Sequence, residues 1–479
     1  MSESSARRSW RPVALAVVSS AALAMMSGCA SHQDIQARTS TRLAADLGVK
    51  EPSMREATNA DPWWRRLGDA QLDALITQAL EEAPSMRVAQ ARMARAQAQA
   101  RYVSGADEPQ VQLTGEVERQ RYSALGLFPP PLSGHPITLG TLQLEGSWEL
   151  DLFGRQRAEL EAAVGQARAA EADSEAARVL LSTQLVRAYA QLGRLLAQRD
   201  VIQRLLTQRE EVLALVRQRV QAGLDTAVEL KQGEGALPDA RVQLEAVQEQ
   251  IVLARHALAA LAGKGPNSLD ALSPDLSALH AQSAPVQVPA DLLGRRADIQ
   301  AALWRVESAG HQTEAARALF YPNVNLVAFA GVNAKGLDRL FDSGSQQWGL
   351  MPAVHLPLFE GGRRRANLQG RVAEQDLAVS QYQQAVFDAV RDAADQITSV
   401  QSIERQRREQ AQAQASAEAA YQLALQRYRA GLGTYLTVLS AESAVLNQRR
   451  AAVDLLARTI DTQAALVRAL GGSFSGDAS

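Results

Sequence analysis

One side chain in this sequence stands apart for covalent chemistry: Cys29, its only cysteine. Upstream, Arg7, Arg8 and Arg11 make a basic start, and Val13 to Met26 is an apolar run too short to span a bilayer comfortably. Residues 1–28 therefore read as a secretory signal. Met26-Ser27-Gly28-Cys29 has the form of a bacterial lipobox, in which the thiol is acylated at the cleavage point; the alternative is an ordinary signal with an incidental cysteine. Each buried methylene contributes about 0.8 kcal/mol, so several acyl chains would anchor the mature chain firmly. Ala30 and Ser31 follow, where retention on the inner membrane usually uses aspartate, and the expected destination is the outer membrane. A lipidated Cys29 leaves no thiol for a disulfide or a thiolate metal site.

Other chemistries find no support. His32, His135, His256, His280, His311 and His355 are scattered without metal-ligand spacing, so no metal is expected. Gly263-Lys264 lacks the earlier glycine and the following Ser or Thr of a phosphate loop. No Gly-x-Ser-x-Gly elbow occurs. The chain reads as a non-enzyme without cofactor, apart from lipid at Cys29. Lys+Arg 50 against Asp+Glu 52 gives net charge −2, and nothing in that balance calls for nucleic acid. Arg363, Arg364 and Arg365 follow Gly361-Gly362, and Arg155 follows Gly154. Cations at a helix start oppose the dipole, so anionic lipid heads, a neighbour's carboxylates or simply a solvated turn must accommodate them.

These residues sit in a chain that repeats itself. Glu149-Leu150-Asp151-Leu152-Phe153-Gly154-Arg155 is echoed by Leu356 to Arg363, and Arg219-Val220-Gln221-Ala222-Gly223-Leu224 by Arg427 to Leu432. The order of features is the same in both halves, as in a duplication. Each half reads as helix, two strands, very long helix, turn and long helix. The repeats are 29–262 and 290–472, joined by a Pro- and Ser-bearing linker, 263–289, and followed by a tail, 473–479. Period-two alternation places strands at about 109–118, 139–152, 322–332 and 347–358, although Pro352 removes a ladder donor from the last. Such alternation more commonly marks a half-buried soluble sheet, but runs of about ten residues suit tilted membrane strands, and their polar face carries Gln and Glu suited to a water-filled lumen. Four strands are too few to close a barrel, since closure begins at roughly eight, so the barrel must be shared between chains.

The hairpins occupy 154–262 and 362–470. Their first limbs, at ~1.5 Å per residue, would each be on the order of 100 Å long. Leu185, Tyr189, Leu192 and Leu196, and Val386, Val390, Ala393, Ile397 and Val400, keep coiled-coil spacing. Gly223 and Gly431 stand where left-handed caps end these limbs, and Thr226 with Glu229 forms a capping box for the first return limb.

Together these features resemble the TolC family of outer-membrane efflux factors, in its lipoprotein branch. The resemblance is carried by Asp61-Pro62-Trp63-Trp64 with Leu72, Leu75, Ile76 and Leu80; Glu149 to Arg155; Asp291 to Arg296; Ala316 to Pro322; Phe359 to Arg365; and Arg427 to Gly431. Ala297 and Leu303 depart from the family's usual Pro and Glu. The resemblance implies a mainly helical chain with membrane strands: a homotrimer with a twelve-stranded barrel continued by a periplasmic helical tunnel. It implies passive conduction of drugs or other small toxic compounds from an inner-membrane pump, through a periplasmic adaptor protein, to the exterior. Adaptor docking would fall on Gly223, Leu224, Gly431 and Leu432, which also serve as caps. A gate would involve Glu229 and Tyr428, with the family's acidic ring falling on Thr437 and Ser440, both uncharged here. Arg155 and Arg363 to Arg365 would lie just below the barrel, beside outer-membrane lipid. An adaptor lipoprotein is the competing reading, but adaptors carry one hairpin where this chain has two.

Overall fold

The computed structural model describes residues 34–41, 62–130, 132–280 and 294–472. The signal segment, Cys29, His32, Asp61, Asp291, linker residues 281–289 and the tail 473–479 lie outside them. The chain forms two compact units. One takes residues up to Ser40, Ala94–Ala169 and Ala302–Gln381; the other takes Thr41–Met93, Ala170–Ala301 and Tyr382–Ser479. Each unit draws on both repeats.

The first unit is built on one antiparallel sheet of β1 (Gln110–Arg121), β2 (Pro136–Leu150), β3 (Asn323–Lys335) and β4 (Gln346–His355), in that spatial order. Because side chains alternate along a strand, the register decides what each face shows. Leu113, Leu144, Ala330 and Trp348 stand in one row across all four strands, and Val111, Gly146, Ala328 and Leu350 in the next. This apolar face is open, with Leu113 69% and Trp348 81% exposed. The opposite face is polar and laced by side-chain bonds. Gln112 donates to Glu145 at 3.3 Å, Gln347 to Gln143 at 3.0 Å and Asn333 to Thr141 at 2.7 Å. The weaker alternation in β3 comes from Val327 and Phe329, which take the polar side; the Phe329 ring lies over Gly349, where a Cβ would stand only 2.5 Å away.

The strands differ from their predicted limits in physically simple ways. β4 ends at His355, short of the expected 358, because Pro357 offers no N–H and disfavours its predecessor's continuation. Pro352 is nevertheless inside β4, opposite Leu326. Within one chain β4 is an edge strand, where proline is tolerated. At the helical end of this unit, Ile35, Ala316, Phe320, Leu368 and Val372 form a small core. The incoming chain is fastened there, since Arg38 N–H, Thr39 N–H and the Thr39 hydroxyl all donate to Asp376.

The remaining helices are α1 (Ala70–Glu82), α2 (Pro84–Ser104), α3 (Arg155–Gln221), α4 (Ala227–Leu261), α5 (Ala297–Ala318), α6 (Arg363–Arg429) and α7 (Tyr435–Ala469). α3 and α6 are 67 residues each, and α4 and α7 are 35 each, so the two hairpins match residue for residue. In the second unit the predicted seam of α3 is fully inside, with Leu185, Tyr189, Leu192 and Leu196 all buried. They pack with Trp63, Trp64, Leu72 and Ile76, and Tyr189 donates to Asp69, the residue that caps α1, at 2.7 Å. The α6 seam is looser: Val386 and Ala393 are buried, while Val390, Ile397 and Val400 are half-buried. The first part of the linker is not loose. Leu269, Leu276 and Leu279 are buried in the same core, and His280 N–H donates to the Leu67 carbonyl at 3.1 Å.

α4 carries Gly233, Gly235 and Pro238 yet remains helical throughout. An internal proline costs about 3 kcal/mol and a glycine about 1 kcal/mol relative to alanine, so packing must hold this stretch. Among the described residues no helix is long and apolar enough to cross a membrane.

The sheet's two faces make a direct prediction. Leu113→Arg is expected to destabilise a membrane-inserted sheet by about 2–4 kcal/mol, and Thr114→Arg, one residue on and facing the other way, much less. Comparing urea unfolding of the two proteins in lipid vesicles measures it, and equal losses would contradict the assigned faces.

Candidate functional site

The hairpin turns bring together Gly223, Leu224, Gly431, Leu432 and Tyr428 of the sequence's candidate residues. Each long helix ends in the same double-bonded cap: Gly223 N–H donates to Val220 O and Leu224 N–H to Arg219 O, while Gly431 and Leu432 repeat the pattern on Tyr428 and Arg427. Glycine is needed at C′ because its φ is 71° in the first turn and 76° in the second. The caps turn Leu224 and Leu432 outward, 65% and 70% exposed. One exposed apolar side chain at each hairpin turn offers a contact rather than a core.

Behind these tips lies a small closed network. Tyr428, on the last turn of α6, is fully buried, and its hydroxyl donates to Asp225 in the other hairpin's turn through a short bond. Arg219, near the end of α3, holds the same carboxylate with Nε at 2.9 Å and Nη2 at 3.3 Å. Its guanidinium carbon stands 4.7 Å from the Tyr428 ring centre, a cation–π contact. Tyr435 packs alongside, 6.0 Å between ring centroids, within a cluster that includes Val212, Val216 and Val438. Burial raises the Asp225 pKa, but hydrogen bonds from Arg219 and Tyr428 outweigh it and leave the carboxyl below its ordinary value. Burial and the Asp225 bond push the Tyr428 phenol upward. The network therefore joins the two hairpins by a charge-assisted bond that stays charged at neutral pH.

Sequence reasoning named Tyr428 and passed over Arg219 and Asp225. The signal was in the comparison of the repeats. The first turn reads Gly223-Leu224-Asp225-Thr226, the second Gly431-Leu432-Gly433-Thr434, and Tyr428 stands where the first repeat has Val220. Asp225 and Tyr428 stand where the halves differ, while Arg219 has Arg427 as its counterpart.

The other candidates sit apart from it. Glu229 closes the predicted capping box, accepting from Thr226 N–H at 2.9 Å and from the Thr226 hydroxyl, and these bonds lower its pKa. Thr437 belongs to the α7 cap, its N–H donating to Thr434 Oγ1 at 3.4 Å, and Ser440 is exposed one turn on. The arginines at the helix starts have carboxylate partners that answer the dipole. Arg155 meets Glu149 at 2.6 Å and Glu159 at 2.8 Å. Arg364 meets Glu360 at 3.0 Å and also donates to Leu319 O; Arg365 pairs with Asp34. Arg363 makes a longer contact to Glu360, 3.4 Å, and its side chain is 80% exposed.

Comparison with known proteins places this arrangement. A family model described as outer membrane efflux protein matches residues 75–264 and 288–472. The chain is 34% identical over 462 residues to MdtQ of Escherichia coli O157:H7, a multidrug resistance outer membrane protein, covering 94% of this chain and 96% of the relative. It is 30% identical over 465 residues to MdtP of Shigella flexneri, another multidrug resistance outer membrane protein, covering 94% of each. The crystal structure of the outer membrane protein VceC from Vibrio cholerae superposes with TM-score 0.82 at 39% identity, covering 86% of this chain and 99% of that one.

A depressed carboxyl contributes stability that is present above its unfolded pKa and is lost as pH falls through the folded value. For Asp225 the window therefore lies below the ordinary aspartate range, near pH 4. Hydrogen exchange at the hairpin turns is expected to show the same protection factors from about pH 7 to 5. Protection lost already near pH 6 would contradict this assignment.

Proposed function

The chain belongs to the outer membrane efflux protein family and is a subunit of an outer-membrane efflux channel; from that premise we propose how it works. Three copies each contribute the four-stranded sheet, β4 of one copy pairing with β1 of the next, to close a twelve-stranded barrel. One observation carries this reading: the sheet exposes a continuous apolar face while its opposite face is a hydrogen-bonded polar surface. Lipid covers the first and water fills the second. Drugs or other small toxic compounds pass through passively, delivered by an inner-membrane pump and a periplasmic adaptor protein. The adaptor engages the exposed tips at Gly223, Leu224, Gly431 and Leu432.

In this reading, Tyr428, Asp225 and Arg219 form the lock that keeps the periplasmic end narrow. Glu229 shapes the turn on which Asp225 stands, and Thr437 and Ser440 line the same tip. Cys29 carries the lipid that holds the mature chain at the outer membrane. Of the four membrane-proximal arginines, Arg363 is the one free enough of solvent-shielding partners to meet anionic headgroups; Arg155, Arg364 and Arg365 brace the start of each long helix.

Three measurements test these points. Detergent-extracted protein is expected to have the mass of three chains, and a monomer would defeat the shared barrel. Tyr428→Phe removes one charge-assisted bond, worth about 1.5–3 kcal/mol, and is expected to raise single-channel conductance several-fold in planar bilayers; conductance equal to the parent protein's would remove Tyr428 from the gate. Cys29→Ser is expected to abolish incorporation of labelled palmitate, and label retained by the variant would place the lipid elsewhere.

A further inference from the structure

The lock at the tip is not the last link between the hairpins. Ten residues before Arg219 on α3, about 15 Å along the helix, Arg209 reaches both return limbs. Its Nε donates to Glu442 of α7 at 2.9 Å, and its Nη1 donates to the Ala236 carbonyl of α4 at 2.6 Å. Asp239 of α4 stands 3.7 Å away. The side chains of Arg209 and Glu442 are only 9% and 7% exposed. Burial lifts the Glu442 carboxyl above its ordinary value in spite of the arginine beside it. A pair so buried is weak evidence of stabilisation, because desolvation offsets the attraction, and its better-attested use is to fix a register or a switch.

What it fixes is the weakest part of α4. Ala236 lies between Gly235 and Pro238, and Pro238 withholds the N–H that would reach the Glu234 carbonyl. Gly233 lets α4 press against α3, since a Cβ there would stand 2.9 Å from Leu213 and 3.5 Å from the Tyr435 hydroxyl. At the same distance into α7, the second hairpin has Ala441, Ser443 and Leu446 in place of Gly233, Gly235 and Pro238. Opposite them, Ala417 of α6 replaces Arg209. The two return limbs therefore have the same length, but only one of them carries helix-weakening residues, in the stretch that one buried arginine holds.

We propose that Gly233 to Pro238 is a hinge in the first hairpin's return limb, and that Arg209, anchored by Glu442, is a second latch that positions the hinge so that the tip lock can close. Releasing the latch lets the first hairpin bend and the tip widen while Arg219, Asp225 and Tyr428 remain chemically intact. The inference rests on the channel reading above. Arg209 and Glu442 act here as positioning residues, without contact to whatever passes through.

The test uses full-length protein in planar bilayers, with heat resistance of the extracted assembly measured in parallel. Glu442→Gln is expected to raise single-channel conductance several-fold, and adding Pro238→Ala, which restores the helical bond and stiffens the limb, to bring it back toward the parent value. Unchanged conductance in E442Q, or a rise that P238A leaves intact, overturns the proposal. A fall in heat resistance with unchanged conductance is the result of a merely structural pair and also overturns it. Should E442Q fail to assemble, Arg209→Lys, which keeps the charge and loses the fork to Ala236, takes its place under the same two outcomes. Parent protein that conducts no ions would instead count against the channel reading, and so is distinguished from a parent channel that E442Q leaves unaltered.

Discussion

The outer strands β1 and β4 each present a row of backbone N–H and C=O groups with no partner strand among the described residues, on a sheet whose broad face is apolar. In water such a sheet would hide that face; in lipid it could not leave its edges unmatched, because hydrocarbon offers no hydrogen bond in return. Closure with neighbouring copies answers both demands together. Much else follows from that constraint. A shared barrel fixes the polar face inward and brings neighbouring copies round one axis. The helices that continue from β2 and β4 then have to line a common passage, with Arg155 and Arg364 tied to Glu149 and Glu360 where strand gives way to helix.

Within the chain, duplication supplies the scaffold and divergence supplies the specific contacts. The caps at Gly223 and Gly431 are the same object twice. Asp225 and Tyr428, by contrast, have Gly433 and Val220 as counterparts, and Arg209 has Ala417. Two copies of one hairpin pack as near-equivalent rods; a contact that belongs to one pairing of the rods must come from residues found in one of them. This also explains why an arginine and a glutamate are kept in a dry place at energetic cost. Apolar replacement of such a pair is often neutral or stabilising, and fixing an alignment is the better-attested use of the charges.

The larger features were legible because they are periodic. Alternation along β1 and β2 gave the exposed apolar rows, and heptad spacing gave Leu185, Tyr189, Leu192 and Leu196 as a buried seam. Residue types at turns gave the caps and the Thr226–Glu229 box. The strand end at Pro357 was misplaced because apolar alternation ran on through Leu356 and Leu358 without regard to the missing donor. The linker was read from its prolines and serines, and the burial of Leu269, Leu276 and Leu279 in the core is a tertiary fact with no local signature. Arg219, Asp225 and Arg209 were missed for a related reason. A charged residue on a mostly polar helix or in a turn looks solvated until its partner, more than two hundred residues away in two of the three cases, is brought beside it.

The equal lengths of the hairpins have a consequence of another kind. Both limbs of one are matched by both limbs of the other, and the bond between Asp225 and Tyr428 forms only if the two ends arrive level. The hairpins are thus a pair of gauges, each calibrated against its twin. Inserting a heptad into one alone would preserve its seam but carry its turn about 10 Å past its neighbour's, leaving Asp225 facing bare helix. Lineages that lengthen or shorten this passage must therefore edit both copies in step, and an insertion in one half foretells its echo in the other.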